Sequence, residues 1–229
     1  MGVDTPVPTC PGWSVADLLV HIANVYRHKT FVLTTGARER PVGDAWRRPV
    51  PAPDEALVRF DEELAALVDA LEVTDPSTPV WTWWPADRTA GFWRRRMAHE
   101  TVIHRADAEA AAGAVTTVDA ALAVDGVDEV LDLFLVPDVQ PGTAEGPPRT
   151  VHLHATDAPG EWLVGLGHEG VTVARGHAKG DAALRGTASD LLLWLWGRAP
   201  VDRLDLFGEE GSEEGAVTRL RAIAATVTA

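Results

Sequence analysis

The stretch Phe92-Trp93-Arg94-Arg95-Arg96-Met97-Ala98-His99-Glu100-Thr101-Val102-Ile103-His104-Arg105-Ala106-Asp107-Ala108-Glu109 decides the reading of this chain. It lies within a segment from Ala90 to Ala112 that reads as one helix, stopped by Gly113. On a wheel of about 100° per residue, Trp93, Met97, Ile103, Ala108 and Ala111 share one face. Arg94, Arg95, Arg105 and Glu109 share the opposite one. Glu100, His104 and Asp107 fall in the middle of the apolar face, where charge is costly unless it is paired or ligates a metal. Glu100 and His104 are spaced i, i+4, so their side chains stand one turn apart and can chelate one ion. Such a pair is also common as a solvated or simply satisfied contact, so spacing alone leaves both readings open.

Upstream, Pro11-Gly12-Trp13 signals a turn and Ser14 an N-cap, with Asp17 closing a capping box. The helix that follows, from about Val15 to Leu33, carries His21 on the shoulder of its apolar arc. His21 is the best candidate for a third ligand, and His28, two turns later, is its rival. A set of two histidines and one glutamate suits Zn²⁺ and leaves a fourth position open, the pattern of catalytic sites. Asp107 and Asp17 are candidate orienting partners for the ligand histidines. Asp17 has capping as its alternative role.

A second helix runs from about Asp54 to Leu71, with Leu57, Phe60, Leu64, Leu67, Val68 and Leu71 at helical spacing. A loop with Trp81, Trp83 and Trp84 follows. A fourth helix, capped by Thr116 or Thr117, carries Leu122, Val127, Val130, Leu131 and Phe134. Pro137 to Pro148 reads as an interdomain linker. Beyond it, alternating segments at 151–154, 161–166, 171–174, 183–185 and 204–207 read as strands. Helices are expected from about Ala188 to Trp196 and Glu213 to Ala225. The expected fold class is α followed by α+β, with a metal-binding helical domain at 1–138 and a small α+β domain at 149–229. His152 and His154 share one strand face. Their expected role is structural, since no acidic or thiol partner lies nearby in sequence.

The 229 residues are 46% hydrophobic and 24% charged, as in ordinary globular proteins. A net charge of −14 argues against nucleic acid and anionic membranes as partners. No apolar run reaches the length of a membrane span, and no secretory signal opens the chain, so the default location is the cytoplasm. The single cysteine, Cys10, excludes an internal disulfide and is expected to pack.

Two motifs together resemble the mycothiol-dependent maleylpyruvate isomerase family. One is Val7-Pro8-Thr9-Cys10-Pro11-Gly12-Trp13-Ser14-Val15-Ala16-Asp17-Leu18-Leu19-Val20-His21, and the other is the stretch quoted at the outset. The likeness continues through 151–157 and 186–198. The resemblance implies a DinB-like four-helix bundle followed by a small sterol-carrier-like α+β domain. Members carry a helix before the Pro-Gly-Trp motif, so the resemblance implies that the bundle's first helix is absent here or lies upstream. It implies His21, Glu100 and His104 as ligands of a divalent metal, Zn²⁺ in the first instance. Mycothiol is the implied thiol cosubstrate, adding to an activated double bond for cis–trans isomerisation or thiol S-transfer. Arg198 is the implied catalytic arginine, and Arg96 a cation for a small anionic substrate. A non-catalytic, metal-stabilised ligand-binding or regulatory protein is the alternative.

Overall fold

The computed structural model describes residues 2–44, 46–139, 142, 147–208 and 213–228. They divide into two compact units, Met1–Val115 and Thr116–Ala229.

The first unit is built on α1 (Val15–Thr35), α2 (Ala56–Val73) and α3 (Ala90–Ala111). The Ser14 hydroxyl accepts from the Asp17 backbone N–H, and the Asp17 carboxylate accepts from the Ser14 backbone N–H, completing the capping box. Gly36, in the left-handed region at φ 63°, ends α1. Leu18, Ile22, Ala23, Tyr26, Val32 and Leu33 are buried along α1, and Trp93, Met97, Ile103 and Ala106 along α3. On α2 only part of the expected apolar face is covered. Leu67 is buried, whereas Leu57 and Val68 are exposed, because α2 packs through Ala56, Glu63, Leu67 and Ala70. The loop between α2 and α3 is tied back to the residues just after α1, where the Trp81 N–H donates to the Ala37 carbonyl at 2.6 Å.

The second unit opens with α4 (Ala120–Glu129), continues through a π-helical turn (Val130–Leu135) and ends in the short α5 (Val136–Asp138). Its cap is Asp119, whose carboxylate accepts from Leu122 N–H at 3.1 Å, and not Thr116 or Thr117. A mixed sheet follows, built from β1 (Arg149–Ala155), β2 (Glu161–Gly167), β3 (Gly170–Arg175), β4 (Ala182–Gly186) and β5 (Asp205–Gly208). Its order is β3-β2-β1-β4-β5, with β1 and β4 parallel and all other pairs antiparallel. Helices α6 (Ala188–Leu195) and α7 (Glu213–Thr228) complete the unit. Val151, Leu153, Trp162, Val164, Leu166 and Leu184 form the buried face of the sheet.

The division between units therefore falls earlier than the proline-rich stretch, and several residues of that stretch (140, 141 and 143–146) lie outside the described set. The fourth helix belongs to the second unit. It packs against α6, and its π-helical turn against β3 and α7. Asp128 accepts from the Trp162 indole N–H at 2.8 Å and, with Asp132, pairs with Arg175 on the sheet. An apolar arc fits any apolar face presented to it, and here the sheet unit's helices supply that face. Among the described residues no helix is long and apolar enough to cross a membrane.

Candidate metal centre

The Val7–Trp13 loop closes on itself before α1 begins. Val7 N–H donates to the Trp13 carbonyl at 2.9 Å, and Gly12 turns the chain at φ 83°, a conformation that favours glycine. Its residues Val7 and Cys10 pack with Val15 and Leu18, so Cys10 serves as packing. The capped start of α1 then sets His21 two turns into the helix, facing α3.

There, His21, Glu100 and His104 offer ligand atoms that all lie within 4.8 Å of one another. His104 Nε2 stands 3.4 Å and His21 Nε2 3.7 Å from Glu100 Oε1, with the two imidazole rings 5.0 Å apart. Ligand bonds of about 2.0–2.1 Å would place the donors of a tetrahedral ion roughly 3.3 Å apart. The three side chains approach that spacing, so this donor set fits a divalent ion. His21 is the most open of the three, at 38% side-chain exposure against 12% for Glu100 and 14% for His104. The Trp13 ring flanks it at 4.9 Å.

Asp107, fully buried, holds His104 Nδ1 at 2.9 Å. That contact leaves Nε2 facing Glu100, the arrangement found behind metal-bound imidazoles. Asp107 is held in turn by Thr9, whose hydroxyl donates to it at 2.5 Å. Arg96, buried one turn before Glu100, pairs with its second oxygen.

The charges follow from these contacts. Burial alone would raise the Glu100 carboxyl, but the hydrogen bonds from His104 and His21 and the Arg96 charge outweigh it and hold it well below the usual carboxylate range. Burial likewise opposes charge on His104, but Asp107 and Glu100 push it up to about 9. Lys29, on α1, is depressed to about 8, mainly by burial. Its ammonium lies 4.5 Å over the Trp93 ring.

Other sequence candidates fall elsewhere. Asp17 is engaged in the capping box, its carboxylate 2.6 Å from the Ser14 hydroxyl. His28 stacks edge-on against Trp46 and Trp81 and lies outside the ligand cluster. Arg198 belongs to the second unit, where its guanidinium donates to the carbonyls of Trp196 and Thr228. Thr9 and Lys29 were not singled out from sequence, although Thr9 stands inside the Pro-Gly-Trp motif.

Comparison with known proteins gives two family matches. Residues 2–109 match the model described as mycothiol maleylpyruvate isomerase N-terminal domain, and residues 121–213 match the MDMPI C-terminal domain. The chain belongs to the mycothiol maleylpyruvate isomerase family. Two crystal structures of mycothiol-dependent maleylpyruvate isomerase share its fold. One of them, a histidine-to-alanine mutant, matches at TM-score 0.62 and 14% identity, and the other at 0.61 and 17%. Each match covers 92% of this chain and 85% of that one. A third solved structure, the ubiquinone synthesis protein UbiJ-SCP2, covers 49% of this chain at 16% identity, with a TM-score of 0.34 that is too low to establish a shared fold. No curated protein matches the sequence. The two maleylpyruvate isomerase family models meet on either side of the division between units, one ending before it and the other starting after it.

Proposed function

We propose that this chain is a metal-dependent enzyme of its family that uses mycothiol to isomerise a small anionic substrate across an activated double bond, or to transfer the thiol to it. The observation that carries the reading is the convergence of His21, Glu100 and His104 within 4.8 Å, in a chain of this family. Two imidazoles and a carboxylate suit Zn²⁺ and leave room for an added ligand. A divalent ion held there would lower the pKa of an incoming thiol, supplying the thiolate nucleophile.

The chain's own residues prepare that position. Arg96 and the two histidines keep Glu100 ionised. Asp107 fixes the ring of His104, so that the free nitrogen is Nε2, and Thr9 fixes Asp107. His104 must shed one proton to ligate, leaving Nδ1–H on Asp107. The partial exposure of His21 opens the cluster on the side where Trp13 stands. Lys29 gives that region a positive charge able to meet an anionic substrate, while the charge of Arg96 is taken up by Glu100.

The test is metal analysis of the purified chain beside a His104→Ala variant, with mycothiol-dependent turnover of maleylpyruvate measured for both. Wild type is expected to hold metal in its helical unit and turn over, and the variant to do neither. A wild type without metal, or a variant with undiminished content, defeats the reading. Metal binding with no response to mycothiol points instead to a metal-stabilised binding protein.

A further inference from the structure

The second unit carries another histidine cluster, on the face of the sheet opposite its buried core. His154 of β1 stands directly across from Glu161 of β2, and His152 lies two residues along the same strand face. After β3 the chain turns at Gly176, at φ 106°, and the Gly176 N–H donates to the Glu161 carbonyl at 2.9 Å. That turn brings His177 back over the strand. Three imidazoles, two from β1 and one from the turn after β3, thus meet one carboxylate. His152 Nε2 lies 3.1 Å from Glu161 Oε2, His154 Nδ1 3.5 Å from Oε1, and His177 Nδ1 2.9 Å from Oε2. The His152 ring is 6.1 Å from that of His154 and 5.4 Å from that of His177.

An ion-pair cluster is the simpler account, and it fits poorly. Protonating all three rings would gather three positive charges on one negative charge. Neutral imidazole is the form that ligates metals. The donor atoms of His152, His154 and Glu161 all lie within 4.8 Å of one another. The three distances to Glu161 bracket the spacing of roughly 3.3 Å expected around a tetrahedral ion with bonds of about 2.0–2.1 Å. His152 and His177 also border a groove of about 670 Å³ that gives an ion a path in from solvent.

We propose that His152, His154, Glu161 and His177 form a second divalent-cation site, of the closed four-ligand kind, selective for a late first-row ion such as Zn²⁺. His177 is its adaptable member, on a loop and 82% exposed, and it closes over an ion already held by the strand residues. This site is independent of the helical centre and of the proposed activity.

Zinc stoichiometry of the full chain, by equilibrium dialysis with metal quantification, tests it. Glu161→Gln removes the shared ligand from the sheet site, and His104→Ala separates the two sites. His104→Ala is expected to keep one zinc, and the His104→Ala/Glu161→Gln double variant none. Circular dichroism confirms that each variant is folded. His177→Ala, at an exposed position that threatens no packing, is expected to weaken the sheet site by more than about tenfold without touching the helical one. The proposal is overturned if Glu161→Gln holds as much zinc as wild type, or if His104→Ala holds none. An unshifted affinity in His177→Ala overturns the four-ligand form.

Discussion

In the helical unit, Glu100 and His104 stand one turn apart on a single helix, and only His21 comes from another. In the sheet unit, His152 and His154 share a strand, Glu161 faces them from the next strand, and His177 arrives from a loop. The helical pair is oriented from behind by Asp107 and charge-compensated by Arg96. Glu161 instead gathers its imidazoles directly, and its loop member, His177, is largely exposed to solvent. The difference teaches how to tell the two apart. A centre with a supporting layer of buried partners is built to hold a ligand geometry while a fourth position changes. A centre that uses all its groups as ligands is built to be filled.

Exchanging the carboxylates should expose this contrast most strongly. Glu100→Gln is expected to lower metal affinity and turnover by about 100-fold or more, since losing a ligand costs at least what losing an orienting partner does. Glu161→Gln is expected to leave turnover unchanged. Steady-state rates with mycothiol, beside metal content, check both, and equal losses would erase the distinction. Asp107→Asn comes next. It keeps the shape but removes the charge behind His104, and about 10–100-fold weaker metal binding is expected in a zinc titration.

Thr9→Val reaches the centre one step further back. Losing its hydrogen bond to buried Asp107 costs about 1 kcal/mol, so roughly fivefold weaker binding is expected. An unchanged affinity would confine the supporting layer to Asp107. The smallest effect concerns His28, an imidazole of the helical unit outside both clusters. Burial and the neighbouring Lys29 and Arg40 depress it to about 4, below the ordinary 6.5. The unfolded chain therefore binds its proton first, and stability is present above pH 6.5 and lost as pH falls through 4. Between pH 7 and pH 4.5, wild type should lose several degrees more in Tm than His28→Gln. Equal losses would show that His28 titrates normally in the fold.

The sequence made the helical centre legible because both its signals are local. The i, i+4 spacing of Glu100 and His104, and the Ser14–Asp17 cap that phases His21, need no tertiary knowledge. What resisted reading was set by packing across distance. Thr9 meets Asp107 only because the Pro-Gly-Trp loop folds onto α3. The fourth helix carries an apolar arc that any face could cover, so its place with α6 was invisible. Strand residues His152 and His154 seemed to lack an acidic partner, yet hairpin register sets Glu161 directly across from His154. The isolated His177 gave no periodic signal at all.

The capped start of α1 has one more consequence. Because Ser14 fixes where the helix begins, the seven residue steps from Ser14 to His21 act as a ruler with an angular as well as a linear scale. One residue inserted between them rotates His21 by about 100°, off the side that meets Glu100, whereas three or four restore its phase to within about 60° while lifting it a turn. Length variation in this segment is therefore limited by rotation before it is limited by distance, and any natural or engineered insertion here should come in steps of whole helical turns.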